Sequence, residues 1–206
     1  GVQTCALPIC LNDLAKGDVC VAWDDDDFYP PDRIRKTVSG LRAQPRARVA
    51  GSSQLYLYFS DRDEIWSIGP YNPNHCTNGT MAYWRSYTKD HRYDDTAEKA
   101  EERQFMDDWK TPVAQIPAEE VMLVICHPYN TFDKRKLLEQ KNPLLKKLDI
   151  KMRNLVKDKV LREFYFSLAR DYAEMDAKKT VAATAVSVPI PGSSESDPSG
   201  STIQHV

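Results

Sequence analysis

The stretch VCVAWDDDDFYPPDRI, residues 19–34, decides the fold class of this chain. Its first five residues form a short continuous apolar run, which is typical of a strand buried on both faces of a parallel sheet. Four aspartates follow directly, and then two prolines, which the first turn of a helix tolerates well. Apolar side chains at Ile34, Val38 and Leu41 have the spacing of a helix packed on that sheet. The stretch therefore predicts a strand, a carboxylate-rich turn and a helix.

Strand-like and helix-like segments alternate along the rest of the chain. The further predicted strands are residues 48–51, 55–59, 64–68, 80–84, 113–116 and 121–126. We predict helices at residues 96–109, near Asp133 and, as a long amphipathic helix, after Pro143. This alternation predicts α/β architecture. The apolar stripe of the last helix, which we interpret as core packing, consists of Leu161, Phe164, Tyr165, Leu168, Tyr172 and Met175.

The composition argues against several classes of protein. The 206 residues include 28 Lys and Arg against 30 Asp and Glu, and the net charge of −2 argues against a nucleic-acid partner. No apolar run approaches the ~18 residues of a transmembrane helix, so we expect no membrane span. The five cysteines lack the paired spacing of a disulfide framework or a zinc site, and we expect a reducing, cytoplasmic location.

Both ends of the chain are expected to lie outside the fold. Residues 1–9, GVQTCALPI, resemble the conceptual translation of a common sequencing adapter, so we expect an artefact that stands in place of lost upstream sequence. Residues 181–206 contain no Lys or Arg and are rich in Ser and Pro, and such a segment buries too little apolar surface to fold. We predict a disordered tail there. The remainder divides into a main domain at residues 10–142 and a helical extension at residues 143–180.

The four aspartates are a candidate metal site. If the run continues the strand, Asp24 and Asp26 lie on one side and Asp25 and Asp27 on the other. The carboxyl edge of a parallel sheet is where open α/β folds bind ligands. Carboxylates are hard oxygen ligands suited to Mg²⁺ or Mn²⁺. A solvated acidic turn is the alternative, and the strand before the run and the helix start after it favour the metal site.

The same stretch resembles the Asp-x-Asp region of GT-A-fold glycosyltransferases of the family-2 type, in which a hydrophobic strand ends in a D-x-D-D-x-Y-x-P sequence. The lead-in LAKGD, residues 14–18, resembles the A-x-G-D of that family. Three later stretches follow in the family's order: NGTMAY at residues 78–83, AEERQF at residues 100–105 and HPYNT at residues 127–131. The resemblance covers residue 11 to about residue 136.

This resemblance implies a GT-A-like, Rossmann-like mixed sheet flanked by helices. The first β-α-β portion of the family, which binds the nucleotide base, has no counterpart here, so residues 10–142 are interpreted as a partial GT-A domain. The family's "E-D" motif is Glu-Glu in this chain, which keeps a carboxylate but lengthens it by one methylene.

The resemblance also implies roles for the acidic residues. Asp26 binds the divalent metal directly, and Asp24 or Asp25 contacts the donor ribose or completes the metal shell. The metal bridges the donor diphosphate and stabilises charge on the leaving nucleotide. Glu102, predicted to share a helix face with apolar side chains, is the candidate base that removes the proton of an acceptor hydroxyl. Glu101 is the second choice.

Further residues complete the implied site. Asn78, Gly79 and Thr80 belong to the family's acceptor-side strand. His127, which ends an apolar strand, is as readily structural as a third metal ligand or a diphosphate contact. Asn130 and Lys134 are placed on the donor side, where a lysine can pair with phosphate.

The predicted function is the metal-dependent transfer of a sugar from a UDP-sugar to a hydroxyl of a glycan or other acceptor, with the inversion that the resemblance implies. A nucleotidyltransferase is a second hypothesis, although the chain shows no glycine- and lysine-rich phosphate loop. A third is a module that binds a metal or a partner without turnover.

Overall fold

Two four-stranded mixed sheets with flanking helices make up the fold, and the aspartate run lies where the chain passes from one sheet to the other. The computed structural model describes residues 11–94, 102–130 and 132–186, with side chains as far as residue 178. The prediction of mixed α/β architecture is therefore confirmed. Within those ranges, no helix has the length and apolar character needed to cross a bilayer.

The strands are short and fall in two groups. The first sheet has the order β1-β5-β2-β6 and the second the order β7-β3-β4-β8. In each sheet one pair of neighbours is parallel, β2 with β6 and β3 with β7, and the other pairs are antiparallel. The bounds are β1 (Val19–Val21), β2 (Val49–Gly51), β3 (Leu55–Phe59), β4 (Glu64–Ile68), β5 (Ala82–Trp84), β6 (Val113–Gln115), β7 (Leu123–Cys126) and β8 (Leu145–Leu148).

Five α-helices of the described residues accompany these strands. They are α1 (Arg33–Ala43), α2 (Glu102–Phe105), α3 (Ala118–Val121), α4 (Met152–Leu155) and α5 (Lys159–Val186). One apolar cluster joins α1 to both sheets, because it contains Leu41 of α1, Ala50 of the first sheet, and Leu57 and Val124 of the second. This shared core fixes the position of the two sheets on either side of the aspartates.

The setting predicted for β1 is wrong. A parallel strand buried on both faces was expected, but β1 is the edge strand of its sheet, pairs antiparallel with β5 and is only half-buried. Trp23, which was assigned to this strand, lies beyond its end and is 54% exposed. A continuous apolar run indicates a strand but does not say which neighbour it pairs with, since pairing depends on residues far away in the chain.

The buried face of α1 also differs from the prediction. Ile34 was expected to face the sheet but is 55% exposed, whereas Arg33, Thr37 and Leu41 are buried. The physical reason is local to Arg33, whose guanidinium finds a carbonyl acceptor at Gly79 and an aromatic face at Tyr29. The buried face of α1 therefore begins at Arg33, one residue before the position that the apolar pattern predicts.

The segment after Pro143 contains a strand that the sequence did not predict. Residues 145–148, LKKL, form β8, which pairs antiparallel with β4 and leaves its two lysines exposed. The long helix begins only at Lys159 and continues to Val186, six residues into the segment predicted as a tail. Residues 1–10 and 187–206 lie outside the described residues, so the predictions for them stay predictions.

The helix predicted at residues 96–109 ends early. Residues 95–101 are not described, and the described part, α2, ends at Phe105. Asp107, Asp108 and Trp109 then take the left-handed conformation, with φ of 49°, 51° and 64°. Three such residues in succession cannot continue a right-handed helix. Phe105 and Met106 are fully buried, as their predicted place on the inner face requires.

Candidate functional site

The aspartate run crosses from the first sheet to the second. It leaves β1, bends at residues 25–27 instead of continuing the strand, and ends where Phe28 exchanges backbone hydrogen bonds of 3.0 and 2.9 Å with Leu123 of β7. The strict alternation expected of a strand therefore does not apply. The carboxylates divide instead by the sheet they face, while Asp25 is exposed.

Asp24 faces the turn that precedes β5. Its backbone N–H donates to Tyr29 Oη at 2.8 Å, and its carboxylate lies directly against Gly79. A Cβ at position 79 would overlap the Asp24 carboxylate and approach Met122 Cε to 2.9 Å. Gly79 is thus required here for a close approach of backbone and carboxylate.

A buried arginine lies beside Asp24. Arg33 is 0% exposed, its Nη2 donates to Gly79 O at 2.8 Å, and its guanidinium carbon is 4.2 Å from the ring centroid of Tyr29 and 4.9 Å from that of Trp23. Its Nε and Nη1 have no hydrogen-bond partner among the described residues. Burial lowers the pKa of Arg33 to about 10, against the opposing influence of Tyr29 and Asp24. The Arg33 guanidinium therefore supplies a positive charge beside Asp24.

Asp26 is held from the other side, by the loop after β7. Its Oδ2 accepts hydrogen bonds from Asn130 Nδ2 at 3.0 Å and from His127 Nε2 at 3.2 Å. The Tyr129 N–H donates to His127 Nδ1 at 3.2 Å, which assigns the ring proton to Nε2. Asn130 Nδ2, 2.9 Å from that Nε2, is then a second donor that shares Asp26 Oδ2 with it. His127, which is 7% exposed, is thus arranged as a donor that orients Asp26.

Asp27 is the most perturbed carboxylate of the run. Its Oδ1 accepts the Ile125 N–H at 2.8 Å. Burial raises the pKa of Asp27 to about 7, the charges of Asp26 and Asp24 add to this rise, and Lys134 opposes it. The Ile125 N–H opposes the rise as well, and Asp27 is therefore partly protonated near pH 7.

The residues present are compatible with a magnesium or manganese ion. The described ranges contain no group of three or more His, Cys, Asp or Glu side chains close enough to enclose one. Such a cage is not required, because Mg²⁺ usually binds through one or two carboxylates, several waters and substrate phosphates. Asp26 meets this need, since its side chain is 42% exposed and lies next to the half-buried Asp27.

The long helix α5 contributes to the site, which the sequence did not predict. The ring of Tyr172 stacks on His127 with a centroid separation of 5.0 Å and an interplanar angle of 28°. Tyr129 Oη donates to Asp176 of the same helix. The stripe predicted as core packing is buried only at Tyr165 and Leu168, and the prediction is wrong for Leu161, Phe164 and Met175, which are exposed. The helix therefore supplies a narrower core contact together with the ring behind His127.

The predicted acceptor side is built around a 3₁₀ turn, Asn78–Thr80, rather than a strand. Thr80 is fully buried, and its Oγ1 donates to Thr77 O at 2.7 Å and accepts the Ser52 N–H at 3.0 Å, so its hydroxyl is occupied structurally. Asn78 Oδ1 accepts the Tyr93 hydroxyl at 2.8 Å.

Glu102 lies close to this turn. It is half-buried at the start of α2, and its charge adds to the raised pKa of both Tyr93 and Cys76, which are mainly raised by burial. The Glu102 charge thus acts on Tyr93, whose hydroxyl contacts Asn78 of the turn. Glu101 falls outside the described residues. Lys134, in the 3₁₀ helix Lys134–Glu139, is half-buried and acts electrostatically on Asp27.

The structure thus brings Asp26, Asp27, His127 and Asn130 together, and places Asp24 with Gly79. Arg33 and Tyr172 are the site residues that sequence reasoning missed, and no sequence signal distinguishes either from an ordinary helix residue. No protein-family model and no curated protein matches this chain.

Proposed function

We propose that this protein is a metal-dependent glycosyltransferase of the GT-A, family-2-like type. It transfers a sugar from a UDP-sugar to a hydroxyl of a glycan or other acceptor, with inversion. The observation that carries the proposal is the orientation of Asp26, an exposed carboxylate held by His127 and Asn130 next to the buried Asp27. A carboxylate fixed in this way is prepared for a divalent ion that still has open positions for a diphosphate.

The donor side combines this carboxylate with nearby polar groups. Asp26 would hold Mn²⁺ or Mg²⁺, which neutralises charge on a departing diphosphate when bound. Asn130 and His127 keep the Asp26 oxygen in place, and Lys134 adds positive charge on the same side. Asp24 and Asp25 are assigned to the donor, with Asp24 held against Gly79.

On the acceptor side, Glu102 is the proposed base. A half-buried carboxylate can take the proton of an attacking hydroxyl as the new bond to the sugar carbon forms. Its charge acts on Tyr93, whose hydroxyl donates to Asn78 of the predicted acceptor turn, and this supports the assignment. A cytoplasmic location agrees with the free thiols of Cys20, Cys76 and Cys126.

Calorimetric titration of UDP with and without Mn²⁺ tests this proposal. The Asp26→Asn variant is expected to lose the Mn²⁺-dependent part of UDP binding, at least tenfold in affinity, because the amide cannot replace the anionic ligand. Asp149→Asn is the matched control, since Asp149 is an exposed carboxylate outside the aspartate run. Equal Mn²⁺-dependent binding by Asp26→Asn and the wild type would contradict the metal site.

The transfer reaction is tested separately, by release of UDP from a panel of UDP-sugars in the presence of glycan acceptors. In Glu102→Gln, turnover should fall ~10²–10⁴-fold, the usual contribution of a general base, while UDP affinity stays unchanged. UDP binding without sugar transfer by the wild type would favour a binding module, and pyrophosphate release from a nucleoside triphosphate would favour a nucleotidyltransferase.

A further inference from the structure

Three aromatic rings form a row next to the predicted acceptor side. The rings of Tyr71 and His75 have centroids 4.5 Å apart, and those of His75 and Trp109 are 4.4 Å apart. Trp109 packs against the buried cluster that contains Phe105 and Met106, so it anchors one end of the row in the core. Tyr71, at the other end, is 44% exposed. The row therefore ends in an aromatic side chain, Tyr71, that is open to solvent.

The loop that carries Tyr71 and His75 is held firmly. The Tyr71 N–H donates to Ser53 O at 3.1 Å. Gln115 Nε2, from β6, donates to Pro73 O at 2.9 Å and to His75 O at 2.8 Å. A ring on a loop fixed in this way loses little conformational entropy when a ligand stacks on it.

The anchor of the row is held in an uncommon backbone conformation. Trp109 has a φ of 64° and follows Asp107 and Asp108, which are also left-handed. For residues other than glycine this conformation is uncommon and persists where the surroundings enforce it. The Trp109 ring lies against His75 in this conformation.

The row also lies beside the proposed base. Trp109 follows α2, the helix that begins with Glu102. The Glu102 charge also contributes to the raised pKa of Cys76, the neighbour of His75. Asn72 and Asn74 lie in the same loop as Tyr71, where the Asn74 N–H donates to Asn72 Oδ1 at 2.9 Å. An exposed aromatic face is thus combined with amide groups near a carboxylate.

We propose that the open face of Tyr71 is a stacking platform for a pyranose ring of a glycan acceptor. This inference rests on the proposed function and names its acceptor as a carbohydrate. A pyranose has an apolar C–H face that fits an aromatic ring and a rim of hydroxyls that fits the amides of Asn72 and Asn74. Glu102, whose charge acts on Cys76 next to His75, is the carboxylate assigned to the reacting hydroxyl.

Saturation-transfer NMR with cellobiose, lactose and chitobiose as probes tests the platform. At least one disaccharide should bind the wild type, and Tyr71→Ala should weaken its binding at least fivefold. Tyr71→Phe keeps the ring and should retain the affinity. Phe164→Ala removes another exposed aromatic ring, on α5 and outside the row, and serves as the control.

The outcomes separate the platform from the transferase. Loss of disaccharide binding in Tyr71→Ala with Mn²⁺-dependent UDP affinity unchanged supports both proposals. The same loss in a protein that does not bind UDP supports the platform and contradicts the glycosyltransferase. Absence of binding by all three probes, unchanged binding in Tyr71→Ala, or a loss of UDP affinity in place of disaccharide affinity would overturn the platform, and the last result would assign the ring to the nucleobase.

Discussion

The two ends of the aspartate run compensate their negative charge in opposite ways. At the first end, Asp24 lies beside a fully buried arginine that is covered by the rings of Trp23 and Tyr29. At the second end, Asp26 and Asp27 are held by hydrogen bonds from a backbone N–H, a histidine and an amide. The charge of the first end is met by the fold itself, whereas the second end is where we propose that a cation binds from solution.

This difference assigns separate tasks to neighbouring carboxylates. A buried cation beside Asp24 repels a second cation, so a metal is expected to prefer Asp26. A cation bound at Asp26 would also favour the ionised form of Asp27, whose pKa is raised to about 7. We therefore propose that the four aspartates divide into a structural end and a ligand-binding end.

The largest expected effect comes from removing the built-in cation. Arg33→Ala should lower the free energy of unfolding by about 2–4 kcal/mol, because it opens a cavity against two rings and leaves Gly79 O without its donor. Urea denaturation measures this change. Arg35→Ala, two residues along the same helix in an exposed pair with Asp32, is the control and should change stability by less than about 0.5 kcal/mol.

A further variant separates charge from packing at that end. Arg33→Met keeps much of the volume without the charge, and replacing a buried charge by an apolar side chain is often tolerated. If Arg33→Ala proved as stable as the wild type, the first end of the run would not depend on its cation. The contrast between the two ends of the run would then fail.

The second effect is a pH dependence at the other end. A carboxyl group whose pKa rises from 3.8 to about 7 on folding favours the native state only while protonated, so stability should fall as pH rises between these values. Asp27→Asn removes this fall and can still accept the Ile125 N–H. At pH 8 in EDTA it should be more stable than the wild type by about 1–3 kcal/mol.

Thermal unfolding at pH 4 and pH 8 measures this difference, with Asp25→Asn as the control. Saturating Mn²⁺ should reduce or reverse the stability difference between Asp27→Asn and the wild type, since the bound cation stabilises the wild-type carboxylates. An Asp27→Asn variant that loses stability at pH 8 without metal would show that the buried charge is satisfied within the fold.

The smallest effect is expected at His127. His127→Phe keeps a ring against Tyr172 but removes the donor to Asp26, so stability should change by only about 1 kcal/mol. Mn²⁺ affinity should fall ~10–100-fold, as when a residue that orients a ligand is lost. A much larger loss would make His127 a ligand of the metal itself, and no loss would remove it from the site.

Local pattern was sufficient for a good part of the fold. The strands predicted at residues 55–59 and 64–68 coincide with β3 and β4, because their apolar and aromatic residues indicate extended structure without reference to partners. The strand LKKL was missed, since two central lysines become compatible with a strand only when they face solvent and Lys147 meets Glu64. The inner face of α1 was misassigned for the same kind of reason.

By itself, the sequence determined that this chain is a mixed α/β protein and that its carboxylates follow the first strand. Which aspartate keeps a cation and which faces solvent was decided only by the tertiary structure. Arg33 is joined to Gly79 across 46 positions and Asp26 to Asn130 across 104, so both contacts depend on how the two sheets pack. Side-chain periodicity reports the neighbours along a helix or strand, and these partners come from elsewhere in the fold.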